Sequence, residues 1–143
     1  MSSLAGTILL GVAFAQTIAF STVASGRSSQ IDEPREVVIR THQEWLAFWK
    51  THSTQPAPDI DFSKSMIAGI FIGMRPTGGY GVGIVAVRRS GATAVVEYVS
   101  SIPDKNQIVI QMLSSPFHLI AIPAGIGKVE FKRVTGGLLP TAF

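Results

Sequence analysis

From Met66 to Val134 the chain is a series of short β-prone runs, broken by turn formers at a spacing of roughly ten residues. The runs are Met66 to Met74 (MIAGIFIGM), Tyr80 to Arg89, Ala92 to Ser100, Gln107 to Leu113, Phe117 to Pro123 and Lys128 to Val134. Ser90-Gly91 reads as a tight hairpin turn, and Ser114-Ser115-Pro116 and Ala124 to Gly127 as further turns. In the last run Val129 and Phe131 alternate with Lys128, Glu130 and Lys132, the pattern of a half-exposed antiparallel strand. The middle runs are apolar on both faces and belong at the centre of a sheet. Two shorter β-rich runs, Thr17 to Ala24 and Arg35 to Arg40, precede them, with a turn-rich loop from Gly26 to Pro34 between.

Only one helix is expected. Thr41-His42-Gln43-Glu44 is a capping box, in which the Thr41 hydroxyl accepts from the Glu44 amide and Glu44 reaches back to Thr41. Trp45, Phe48, Trp49 and His52 follow at i, i+3, i+4 and i+7, on one face. The helix should stop near Ser53, because Pro56 and Pro58 cannot continue it. Both tryptophans lie on that face. They could form an aromatic ligand platform, but the better reading is a helix that plugs one side of a sheet. The expected fold is mainly β (α+β): about seven antiparallel strands in a sandwich or partly open barrel, with one amphipathic helix packed on it.

Composition narrows the function classes. Hydrophobic residues make up 46% and charged residues 15% of the 143, which excludes a disordered polyelectrolyte. The net charge of +3, from 12 Lys+Arg and 9 Asp+Glu, is too mild and too scattered for nucleic acid. Cysteine is absent, so disulfides, thiol catalysis and Cys-based metal sites are excluded. The first charged residue is Arg27. Leu4 to Ala15 (LAGTILLGVAFA) is an apolar run the size of a signal-peptide core, and short of the ~20 residues of a membrane span. Ala13-Phe14-Ala15 fits the small-x-small cleavage rule, although the n-region carries only the α-amino charge. The expectation is a signal peptide over 1–15, a domain over 16–134 and a loose tail over 135–143. The chain would be secreted or periplasmic, and at a membrane only if the leader is uncleaved. A buried N-terminal strand or helix is the competing reading of that run.

Catalytic motifs are sparse. No G-x-S-x-G occurs, so a small hydrolase with a triad assembled in space is the least favoured function. His42, Glu44, His52 and His118 are the candidate metal ligands, but no H-E-x-x-H occurs, and His42 and Glu44 point different ways on a helix. His52 suits the carbonyls at the helix C-terminus. His118 reads as a satisfied, half-buried side chain in an apolar strand. Asp59 and Asp61 resemble paired carboxylates, yet sit in a Pro-rich connector and read as solvated loop charges. No catalytic residue, metal or cofactor is expected.

The unusual segment is Gly73 to Gly83, G-M-R-P-T-G-G-Y-G-V-G. It is no phosphate loop: it has no G-K-[ST], and a strand follows rather than a helix. Pro76 pre-sets one torsion and Gly78-Gly79 permit positive φ, so Pro-Thr-Gly-Gly is a turn of defined shape. Gly81 and Gly83 would let something bulky pack close, such as the Trp45/Trp49 helix. Read plainly, the segment is a hairpin turn. Read functionally, it is a rigid recognition loop in which Arg75, Pro76, Thr77 and Tyr80 are presented while Gly78 and Gly79 supply backbone geometry.

The series E-W-L-A-F-W at 44–49, D-F-S-K-S-M at 61–66, G-M-R-P-T-G-G-Y at 73–80 and P-F-H-L-I-A-I-P at 116–123 resembles the PrcB C-terminal domain, over roughly Thr17 to Val134. That family is named after a subunit of a bacterial surface protease complex. The resemblance implies a small exported domain, not itself catalytic, that associates with or assists a protease. It implies no residue-level mechanism. No cysteine is present for lipid attachment. Pro76-Thr77-Gly78-Gly79-Tyr80 is also similar to the N-P-T-T-G-Y loop of chagasin-like cysteine-protease inhibitors, with Arg at position 75 in place of Asn. The alternative function is therefore an inhibitor using the Arg75 to Tyr80 turn. Either way the expected partner is a protein, a protease first.

Overall fold

A computed structural model describes residues 16–135. The expected leader over 1–15, and the tail beyond residue 135, lie outside the described residues. Eight strands and one helix follow in the order β1 (Gln16–Thr17), β2 (Ser21–Gly26), β3 (Pro34–Ile39), α1 (His42–His52), β4 (Ser65–Ile72), β5 (Gly81–Ser90), β6 (Thr93–Ser101), β7 (Phe117–Pro123) and β8 (Lys128–Arg133). They form two four-stranded sheets, β1-β5-β6-β8 and β2-β7-β4-β3. The expected β architecture is therefore a sandwich, with no closed barrel. The run Thr17 to Ala24 divides into β1, which pairs with β5, and β2, which pairs with β7.

Alternation along β4 and β7 separates two cores. Met66, Ala68, Ile70, Ile120 and Ile122 face the other sheet and meet Val82, Ile84, Val87, Ala94 and Val96 there. Ile67, Phe71, Phe117 and Leu119 point the opposite way and are covered by the helix. This explains why the middle runs are apolar on both faces: β4 and β7 are central strands with a packed layer on each side.

The helix is the plug the sequence suggests. Thr41 Oγ1 accepts from the Glu44 amide at 3.2 Å, and Ser53 closes the far end with its N–H on the Trp49 carbonyl. Trp45 is 0% exposed and its Nε1–H donates to the Pro58 carbonyl at 2.9 Å; the Trp49 indole donates to the Gln55 carbonyl at 2.7 Å. The segment after the helix thus satisfies both indoles, the condition for burying them. Gly81 and Gly83 make no room for this helix. They lie on β5, whereas Trp45 and Trp49 pack on the outer face of the β4–β7 sheet.

Two strand expectations are corrected. β8 pairs with β6 in parallel, Thr93 opposite Lys128 through Tyr98 opposite Arg133. Its alternation reports a half-exposed edge correctly but carries no information on direction, which follows from β7 leaving the other sheet before the chain crosses over. Gln107 to Leu113 is not a strand. It joins neither sheet and runs as an exposed loop between β6 and β7. High β-propensity does not by itself make a strand, because pairing and burial in the folded chain decide.

Candidate functional site

The turn at 73–80 starts directly after β4. Gly73 has φ +81°, and a Cβ there would lie 2.9 Å from Pro34 Cδ and 3.0 Å from the Asp32 carbonyl oxygen, so glycine is required. Arg75 pairs with Ser114 as an isolated antiparallel bridge, with Arg75 N–H to Ser114 O at 2.6 Å and the return bond at 3.0 Å. The Ser114 hydroxyl donates to the Thr77 carbonyl at 2.7 Å, and the Gly78 N–H donates to the Ile110 carbonyl at 2.8 Å. The Gly-rich turn is therefore fastened along its length to the loop joining β6 and β7.

This attachment changes which residues face outward. Of the six expected recognition residues, only Pro76 is exposed; Arg75, Thr77, Gly78, Gly79 and Tyr80 are half-buried. They do not share one surface. Arg75 lines a cleft of about 630 Å³ at the open side of the sandwich, with Ile70, Ile72, Tyr98, Ser100 and Arg133. Gly78, Gly79 and Tyr80 line a second cleft of about 370 Å³ with Arg27 and residues 107–110. The Arg75 guanidinium carbon lies 5.6 Å from the Tyr80 ring centroid, and its Nη2 donates to the Ile72 carbonyl at 3.0 Å. Gly79 has φ +86°, and a Cβ there would meet Pro103 and Val109 at 2.8 Å each.

The most exposed large apolar side chains among the described residues belong to the β6–β7 loop. Ile102, Ile108, Ile110, Met112 and Leu113 are all exposed, Ile108 at 99%, and Met74 of the turn is exposed as well. Between Asn106 and Phe117 the chain carries no charge. Sequence reasoning missed this surface because Q-I-V-I-Q-M-L has the composition of a buried strand. Nothing in its local pattern separates an exposed loop from a strand.

The histidines form two hydroxyl–imidazole pairs. His118 is 2% exposed, deeper than expected. Its Nδ1 accepts from the Ile84 N–H at 2.8 Å across the sandwich, so the neutral ring carries its proton on Nε2, 2.8 Å from the Thr22 hydroxyl. Burial lowers its pKa to about 4. His52 lies among Phe48, Trp49, Phe71 and Phe117, with Nδ1 2.7 Å from Ser29 Oγ, and burial lowers its pKa too. Ser29 Oγ also accepts from the Ile31 N–H at 3.0 Å. Both pairs tie separate elements together, His118 joining β2, β5 and β7 and His52 joining α1 to the loop after β2.

The remaining candidates are separated. His42 and Glu44 are exposed on α1, and Asp59 is exposed in the connector. Asp61 Oδ1 accepts from the Ser63 N–H and hydroxyl, which shapes the turn into β4. No group of three or more metal-ligating side chains converges among the described residues, and no described helix is long and apolar enough to cross a membrane.

No curated protein and no solved structure matches the chain. A family model does match, over 66–123. This stretch holds G-M-R-P-T-G-G-Y, the β6–β7 loop and all of P-F-H-L-I-A-I-P, and leaves out the tryptophan helix. Over those residues, which run from β4 to β7 and include the turn and the loop, the chain is similar to the PrcB C-terminal family.

Proposed function

We propose that this protein is an exported, non-catalytic protein-binding domain that associates with or assists a protease complex. The observation that carries the reading is the uncharged apolar surface of the β6–β7 loop, with Ile108, Ile110, Met112 and Leu113 exposed together. Isolated exposed apolar residues are ordinary; several on one loop, held down by backbone bonds to a rigid turn, suit a protein interface. The match to the PrcB C-terminal family supports a protease-related partner. The turn acts chiefly as the support of this surface, with Pro76 and Met74 at its margin. An inhibitor would also need a presented loop, and here the β6–β7 loop is more exposed than the Arg75 to Tyr80 turn.

The test is capture of the protease encoded nearest the gene by the immobilised chain. Ile108→Asp and Met112→Asp should leave the urea midpoint unchanged, as exposed substitutions do, and weaken capture at least about tenfold. Wild-type affinity in both variants would remove the loop as the interface.

A further inference from the structure

A cleft of about 630 Å³ lies where the sandwich is open, between the two edge strands β3 and β8. Its floor is Ile70 and Ile72 of β4, and its far wall is Tyr98 and Ser100 of β6. Arg75 enters from the Gly-rich turn, Arg133 from the end of β8, and Arg35 stands on the β3 rim. Glu36 is the only acidic residue on the lining, so three guanidinium groups face one carboxylate, a local balance of +2. Among the described residues neither Arg35 nor Arg133 forms an ion pair. Arg75 has a buried Nε with no hydrogen-bond acceptor. A buried guanidinium N–H without an acceptor is unusual and marks a place where an acceptor is wanted. Unneutralised arginines over an apolar floor, with two hydroxyl groups beside them, match one ligand chemistry: a carboxylate attached to an apolar body.

We propose that this cleft binds an apolar carboxylate, with Arg133 and Arg75 holding the charge and Ile70 and Ile72 the hydrocarbon. Tyr98 and Ser100 supply hydroxyls to the second carboxylate oxygen. The carboxylate can come from the C-terminus of a peptide or from a free organic acid. About 630 Å³ is within the range of pockets for small organic ligands and excludes a folded partner from the interior.

Calorimetry with N-acetyl-leucine, N-acetyl-leucinamide and octanoate tests the assignment. The carboxylates should bind and saturate, with the amide at least about tenfold weaker, because it lacks the charge that the arginines recognise. Binding of N-acetyl-leucine alone identifies a peptide terminus, and binding of octanoate alone a free acid. Arg133→Gln, at an exposed position, should weaken the carboxylate about tenfold without moving the melting temperature. Arg75→Gln should do the same in whatever fraction remains folded. Amide shifts of Ile72 and Ser100 on titration should locate the ligand in the cleft. No saturation by either acid at about 10 mM, where even millimolar binders saturate, would overturn the proposal. So would equal binding of the amide, or wild-type affinity in both arginine variants.

Discussion

His118 joins the two sheets through one ring. Nδ1 takes the Ile84 amide beside the bulge of β5 between Ile84 and Ala86, and Nε2 meets Thr22 of β2 beside a second irregularity. Protonation would turn Nδ1 from an acceptor into a donor facing an N–H, and would place a charge in the core. The folded pKa is therefore lowered from 6.5 to about 4. Between those values the unfolded chain takes up a proton that the folded chain refuses, so stability is complete above pH 6.5 and falls as the pH drops towards 4. The loss should be on the order of 3 kcal/mol, and His52, lowered by burial in the same direction, adds to it. Urea melts at pH 7 and 4.5 measure the slope. His118→Asn keeps an acceptor near the Nδ1 position and should flatten most of that slope, although it lowers stability at neutral pH through lost packing. An unchanged slope in that variant would place the acid sensitivity elsewhere.

At the level of elements, the Gly-rich turn and the β6–β7 loop make one unit, and its two adjacent glycines should answer differently to substitution. Gly79→Ala meets positive φ and two contacts at 2.8 Å, and should cost about 1–3 kcal/mol. Gly78→Ala has no positive φ, and its Cβ would meet Ile110 at an ordinary 3.6 Å, so the change should stay within about 0.5 kcal/mol. Thermal melts of the pair decide whether the loop rests on the turn as described. The turn, the helix with its cap, and the strands from Met66 onward were legible because each rests on local pattern: alternation, helical spacing, or glycine and proline in order. The direction of β8 and the loop character of 107–113 were not legible, because both depend on which segments pair in the folded chain and not on local pattern. The six turn residues were readable as a compact motif, but their division between two clefts was not. Arg133, Tyr98 and Ile70 come together from β8, β6 and β4, and no sequence spacing connects them.

Across the whole molecule, the two sheets are held unevenly. β4 and β7 are covered on both sides, whereas β8 has one ladder, in parallel to β6, and mostly exposed or half-buried residues. Parallel pairing at an edge is the weaker kind, so β8 should open before the central strands do. One side chain from the other sheet opposes this. Arg40, just past the end of β3, donates Nη1 to the Ile126 carbonyl and Nη2 to the Gly127 carbonyl at 3.0 Å, capturing the loop that leads from β7 into β8. Ile126 beneath it is fully buried in the inter-sheet core. Hydrogen bonds from a charged donor are worth roughly 1.5–3 kcal/mol, so removing this clamp should raise the open population of β8 about tenfold or more. Arg40→Met keeps much of the aliphatic stem and deletes the donors. Hydrogen exchange should then quicken by that factor in Val129 to Arg133 while β4 and β7 keep their protection. Because Arg133 closes one side of the cleft, the same variant should also weaken carboxylate binding there. Uniform acceleration across all strands would mean instead that Arg40 supports the entire fold, and that β8 is no separate opening unit.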